Sequence, residues 1–148
     1  MSESAERPVG ATGRREPPPF RVVRLFGKEQ LSFRMVRVTL VGDELRGLEI
    51  SEPAASVRLL LPSPGDTELT IPKWNGNEFL QEDGSRPTIR TFTPRRLNPA
   101  SLQLDIDMVI HDGGAASEWA INAEPDFPAA VSGPGRGYRP RPDANAFV

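Results

Sequence analysis

Two short stretches carry residue types able to hold a flat, phosphorylated ligand. Arg90-Thr91-Phe92-Thr93 sets a cation, an aromatic ring and a hydroxyl side by side, and Pro94 ends the run. On an extended segment alternate side chains share a face, so Arg90 pairs with Phe92 and Thr91 with Thr93. The Arg90 guanidinium is a planar fork suited to phosphate, and the Phe92 ring offers a stacking surface. The Thr93 hydroxyl both donates and accepts, as contact with a ring nitrogen or carbonyl requires. Eighteen residues beyond Thr93 begins His111-Asp112-Gly113-Gly114-Ala115-Ala116-Ser117. Gly113 to Ala116 have no bulk to keep a ligand from the backbone, and the expected helix opens with unpaired N–H groups of partial positive charge, suited to a diphosphate. Each stretch has a plainer reading. Arg90 can be an exposed strand arginine whose neighbour Phe92 sits in the core, and the glycine turn can be an ordinary strand-to-helix connection whose amides Ser117 caps. His111 either packs on a ligand or caps the sheet.

The elements that must position these residues follow from composition and pattern. The 148 residues suit one domain with a real core, and 16 prolines with 13 glycines favour many short elements joined by turns over a few long helices. A net charge of −2 offers no global attraction to nucleic acid or an anionic membrane. The absence of cysteine excludes disulfides and thiolate chemistry, and a single histidine argues against a histidine-based metal site. With no apolar run of membrane length and no apolar N-terminal leader, the expected location is cytoplasmic.

Residues 1–19 are expected to form a disordered arm. Strands are expected at Phe20 to Phe26 and Phe33 to Leu40, with a turn at Gly27-Lys28-Glu29-Gln30, and at Ser56 to Leu61. Asp43-Glu44-Leu45 can form one helical turn. Apart from a short strand at Leu69-Thr70-Ile71, Pro62 to Pro87 reads as loop, in which Trp74 and Phe79 either cover a site or anchor the loop on the core. Thr88 to Thr93 is a strand closed by Pro94. The clearest strand has Leu102, Leu104, Ile106, Met108 and Ile110 on one face and Gln103, Asp105 and Asp107 on the other. A two-turn helix over Ser117 to Glu124, with Trp119 facing the core, and a short strand at Ala129 to Ser132 complete the pattern. Strands without βαβ alternation predict a mainly β fold, a six-stranded antiparallel barrel with one short helix.

The ordered set Arg90-Thr91-Phe92-Thr93-Pro94-Arg95, Leu104 to His111, Gly114-Ala115-Ala116-Ser117-Glu118-Trp119-Ala120 and Gly133-Pro134-Gly135 resembles the FAD-binding domain of the siderophore-interacting proteins, relatives of the ferredoxin–NADP reductases. The resemblance spans Phe20 to Gly137 and implies a Greek-key barrel over residues 20–140 that binds FAD. It implies that Arg90 contacts the diphosphate, Phe92 stacks on the isoalloxazine where the family usually has Tyr, and Thr93, with Thr91 beside it, lies at the flavin edge. His111 would pack along the ribityl or adenosine side, and Gly113, Gly114, Ala115, Ala116 and Ser117 would surround the phosphates. Lys73, Arg95 and Arg96 are cations that can attract an anionic ferric chelate. The activity implied is oxidoreduction, electrons passing from NAD(P)H through FAD to Fe(III) in a ferric siderophore. The α/β domain that binds NAD(P)H is absent from these residues, 141–148 being read as its linker. A non-catalytic flavin- or nucleotide-binding module and a general NAD(P)H:flavin reductase fragment are the alternatives. Pro125-Asp126-Phe127-Pro128 stands where the family tends to have Pro-Gly-Asp. No oligomeric state is implied.

Overall fold

A computed structural model of the chain describes residues 15–51 and 53–135. Strand β1 (Arg21–Ser32) is much longer than its sequence pattern, and its hairpin partner β2 (Met35–Val41) follows after a turn at Phe33-Arg34. The turn expected at Gly27 to Gln30 is therefore corrected. These residues pair with Val36 to Thr39, and Gly27 marks a bulge, Leu25 lying opposite Leu40 and Gly27 opposite Thr39. A glycine inside a paired strand relaxes the ladder without ending it. On β2 the alternation is regular, with Val36, Val38 and Leu40 buried.

After a 3-10 turn at Asp43–Leu45, β3 (Val57–Leu61) enters the core. The segment expected to be loop contains a two-stranded hairpin, β4 (Lys73–Trp74) with β5 (Phe79–Leu80), whereas Leu69 to Ile71 form no strand. Trp74 and Phe79 meet edge-on at 5.1 Å, and Phe79 meets Phe20 at the same distance, so these rings anchor the hairpin beside the start of β1. The period-2 pattern missed this pairing because two residues per strand are too few to show alternation. Residues 15–19 of the expected arm lie against the sheet end, where the Ser132 hydroxyl donates to the Pro18 carbonyl at 2.5 Å. The remainder of that arm and residues 136–148, with the expected linker, lie outside the described residues.

Next come β6 (Thr88–Phe92), β7 (Pro94–Asn98) and β8 (Gln103–Val109), then helix α1 (Ala115–Asn122) and β9 (Pro128–Ser132). Strand β7 was not expected, and the helix starts two residues earlier than its pattern implied. Asp126 takes a positive φ of 77° at the turn before β9, and its amide donates to Leu25 at 2.8 Å. Aspartate tolerates the left-handed region that a glycine would otherwise occupy. The strand beyond this turn forms with its ladder to β1 intact.

Among the described residues seven strands make one antiparallel sheet in the order β6-β3-β9-β1-β2-β8-β7. The closed six-stranded barrel is thus corrected to an open seven-stranded sheet, edged by β6 and β7. Only Thr93 separates these two edge strands in the chain. One residue cannot span more than about 7 Å, so the sheet curls until its edges meet at that corner. Pro94 has no amide to donate to a ladder at that corner. The interior holds Val38, Leu40, Leu59, Leu104 and Ile106, all fully buried, together with Trp119 from the helix.

The outer face of β8 is bound by charge. Asp107 lies opposite Arg37, which donates through Nε at 2.7 Å and Nη2 at 3.1 Å, and the Thr39 hydroxyl donates to Asp105 at 2.7 Å. Hydrogen bonds from Arg37 hold the Asp107 carboxyl below the usual carboxylate range; partial burial opposes this, and the charges of Arg37 and Arg95 add to it. A carboxylate with a depressed folded-state value stabilises above its unfolded value, ~3.9, and that contribution is lost as pH falls through the folded value. Asp107→Asn is therefore expected to lower stability at neutral pH and to flatten its loss on acidification. Urea midpoints taken between pH ~6 and ~3 would show this, and an unchanged acid slope would contradict it.

Candidate functional site

The first stretch sits on an edge strand. On β6, Arg90 lies opposite Leu59 and Phe92 opposite Val57, both core residues, while Thr91 lies opposite Arg58. Phe92 is half-buried and packs on the core, so part of its ring is already spent on the interior. Arg90 has the same orientation but is exposed, and its Nη1 donates at 2.9 Å to the carbonyl of its neighbour Ile89. It has no carboxylate partner among the described residues, which leaves its fork available to an anion. Thr91, on the other face, lines a cavity of about 610 Å³ with Ser56, Arg58 and Gly133. Thr93 is the exposed corner itself.

The second stretch leaves β8. The Ile110 amide donates to Arg34 at 2.7 Å, tying the strand exit to the tip of the β1–β2 hairpin. The His111 amide then donates to Ser117 Oγ at 3.0 Å. Ser117 is thus not a cap for the helix amides, the plainer role its sequence position allowed. The N-cap is Gly114, which makes no side-chain bond, so the first amides of α1 carry no side-chain cap and present the positive end of the helix dipole. Gly113 holds a φ of 81° with open space where a Cβ would stand. At Gly114 a Cβ would lie 2.5 Å from His111 Cε1, so the imidazole rests directly on this glycine. Ala115 and Ala116 are half-buried, and Ala116 packs on the same core as Phe92.

The two stretches share one end of the sheet. Pro94 lies opposite Ile106, and β8 continues only to Val109 before it exits into His111. At about 3.3 Å per residue the corner at Thr93 and the turn at His111 are on the order of 10 Å apart along the sheet. An uncapped helix start, a glycine with an open face and a guanidinium with no carboxylate partner among the described residues fit an extended anionic ligand such as a dinucleotide diphosphate.

The three cations expected to attract a ferric chelate are not one group. Arg95 and Arg96 both lie on β7, where Arg96 is engaged with Asp105 at 3.4 Å, whereas Lys73 belongs to the separate β4–β5 hairpin. One contributor went unnoticed in the sequence. Lys28 Nζ donates to the Ala120 and Ile121 carbonyls at 2.9 Å each, placing positive charge on the negative end of α1. Nothing local marks it, because its partners lie more than ninety residues away.

The cytochrome b5 reductase domain of Ulva prolifera nitrate reductase superposes with a TM-score of 0.53 at 18% identity, over 80% of this chain and 42% of that one, and shows the fold alone. The chain itself belongs to the siderophore-interacting FAD-binding domain family, whose model matches residues 24–138. A siderophore utilization protein from T. fusca matches with a TM-score of 0.71 and 31% identity, covering 88% of this chain and 50% of that one. In sequence the chain is 32% identical over 128 residues to the NADPH-dependent ferric-chelate reductase of Escherichia coli, covering 86% of this chain and 49% of the relative. It is 28% identical over 116 residues to the ferric vibriobactin reductase ViuB of Vibrio cholerae, covering 78% of this chain and 42% of the relative. The chain thus spans half or less of the length of these relatives. No helix among the described residues is long and apolar enough to cross a membrane.

Proposed function

We propose that this domain binds FAD across the Thr93 corner and the N-terminus of α1, and serves as the flavin-holding part of a ferric-siderophore reductase. The observation that carries the proposal is the uncapped helix start, where Gly114 at the N-cap brings no side chain to the first amides. Bound there, FAD supplies the electron chemistry, delivering to ferric iron in a chelate what it receives from a nicotinamide donor. The chain's part is to bind and orient. Arg90 and the amides of Ala115 and Ala116 hold the diphosphate, and the free face of Phe92 supports the ring system. The Thr93 hydroxyl hydrogen-bonds at the ring edge, and His111 lines the side nearest Gly114. Arg95 is an exposed cation close to that corner, placed to draw an anionic ferric chelate. Gly114, Ala115 and Ala116 keep bulk away from the phosphates. NAD(P)H is the proposed electron donor, and the cytoplasm the proposed location.

The test is a titration of the purified chain with FAD, followed by dithionite reduction and addition of a ferric siderophore under anaerobic conditions. Saturable binding and reoxidation of the flavin by the chelate are expected. Absence of FAD binding would falsify the proposal, and a bound flavin that stays reduced would leave a non-catalytic flavin module.

A further inference from the structure

We infer that Ser117 is a positioning residue of the diphosphate site, acting through His111 instead of touching the ligand. The inference rests on the FAD assignment and deepens it. Ser117 is only 3% exposed. Its Oγ accepts the His111 amide at 3.0 Å and faces the Val109 carbonyl at 3.5 Å, so the hydroxyl points back to the strand exit. A serine that bound phosphate through its side chain would instead stand open at the helix start.

This bond closes residues 111–117 into a loop, with two consequences at once. The Ser117 hydroxyl, three residues inside the Gly114 N-cap, is directed away from the first amides, which Gly114 has no side chain to cap. The His111 backbone is held where its ring rests on Gly114, beside those amides. With Lys28 bound to both Ala120 and Ile121 at the other end, the helix is gripped at each terminus. Ring and amides are thus set in one geometry before the ligand arrives, and preorganisation of that kind raises affinity without adding a contact.

The test uses the whole chain and two probes, FAD and ADP, the second being a diphosphate without a flavin. Ser117→Ala is expected to speed hydrogen exchange at the His111 amide about tenfold with no ligand present, because its acceptor is gone. FAD and ADP affinities are expected to fall together, on the order of tenfold, as when an outer supporting group is removed. Weaker binding with unchanged His111 exchange would make Ser117 a direct ligand and overturn the inference, while the FAD assignment would stand. Faster exchange with both affinities intact would overturn it too, since the loop would then be structural only. If the wild-type chain binds neither probe, the FAD assignment fails and takes this inference with it. Should Ser117→Ala fail to fold, Ser117→Thr retains the acceptor and is expected to hold exchange and both affinities within about threefold of wild type. A tenfold loss of affinity in that variant, with the His111 amide still protected, would contradict the positioning role.

Discussion

Arg90→Ala is expected to weaken FAD binding about ten- to a hundredfold while leaving the thermal midpoint of the empty domain unchanged. Hydrogen bonds to a charged group contribute about 1.5–3 kcal/mol, and each 1.4 kcal/mol is a factor of ten in affinity. The folded domain loses little, because Arg90 is exposed and its own bond is to the adjacent Ile89 carbonyl. That separation makes the variant informative, since a fall in affinity cannot be blamed on unfolding. FMN carries one phosphate in place of the diphosphate and should lose less than FAD. Arg90→Lys should fall between wild type and alanine, because an ammonium is a point charge without the planar fork. Flavin fluorescence titrations of the three proteins with both cofactors decide the matter. Equal losses for FAD and FMN would remove Arg90 from the diphosphate.

Ile106→Ala should have the largest effect on stability, a loss of about 2–5 kcal/mol in urea unfolding. Ile106 is 0% exposed and lies mid-strand on β8, opposite Val38 on one side and Pro94 on the other. The cavity would therefore open where the pairing that follows the Thr93 corner meets the β2–β8 ladder, and neither neighbour can close it without breaking register. Val109→Ala, three positions on and 59% exposed, is the control and should change stability by less than about 0.5 kcal/mol. Were the two variants equally stable, the placement of β8 in the core would be wrong. In the folded fraction of Ile106→Ala the FAD affinity should stay near wild type, because the proposed ligand contacts belong to other residues.

Much of the architecture is legible in the chain itself. The alternation of Leu104, Ile106 and Met108 against Asp105 and Asp107 reports a strand, and the structure buries the three apolar residues, although Asp105 is buried too, beneath Thr39 and Arg96. Trp119 was expected in the core and is there. The misses have a common origin. Gly27 looked like a turn, since a bulge differs from a turn only by whether a partner strand continues past it, and that partner is Thr39, twelve residues on. Strand β7 was hidden because Pro94 ends one strand and begins another.

For the candidate site, local chemistry and spacing singled out Arg90, Phe92, Thr93, His111 and the glycine turn, because backbone alternation and small side chains are properties of neighbouring residues. The sequence could not say how each is used. That Phe92 divides its ring between core and surface and that Arg90 meets no carboxylate among the described residues depend on a curled sheet that meets itself at Thr93. The inward turn of Ser117 and the reach of Lys28 to the far end of α1 depend on packing between distant strands and the helix. Sequence alone determined which groups were on offer, since side-chain chemistry and strand alternation are local. Only the tertiary structure decided which were spent on the fold and which were left for a ligand, because hydrogen-bond partners and burial are set by chain segments far apart in sequence.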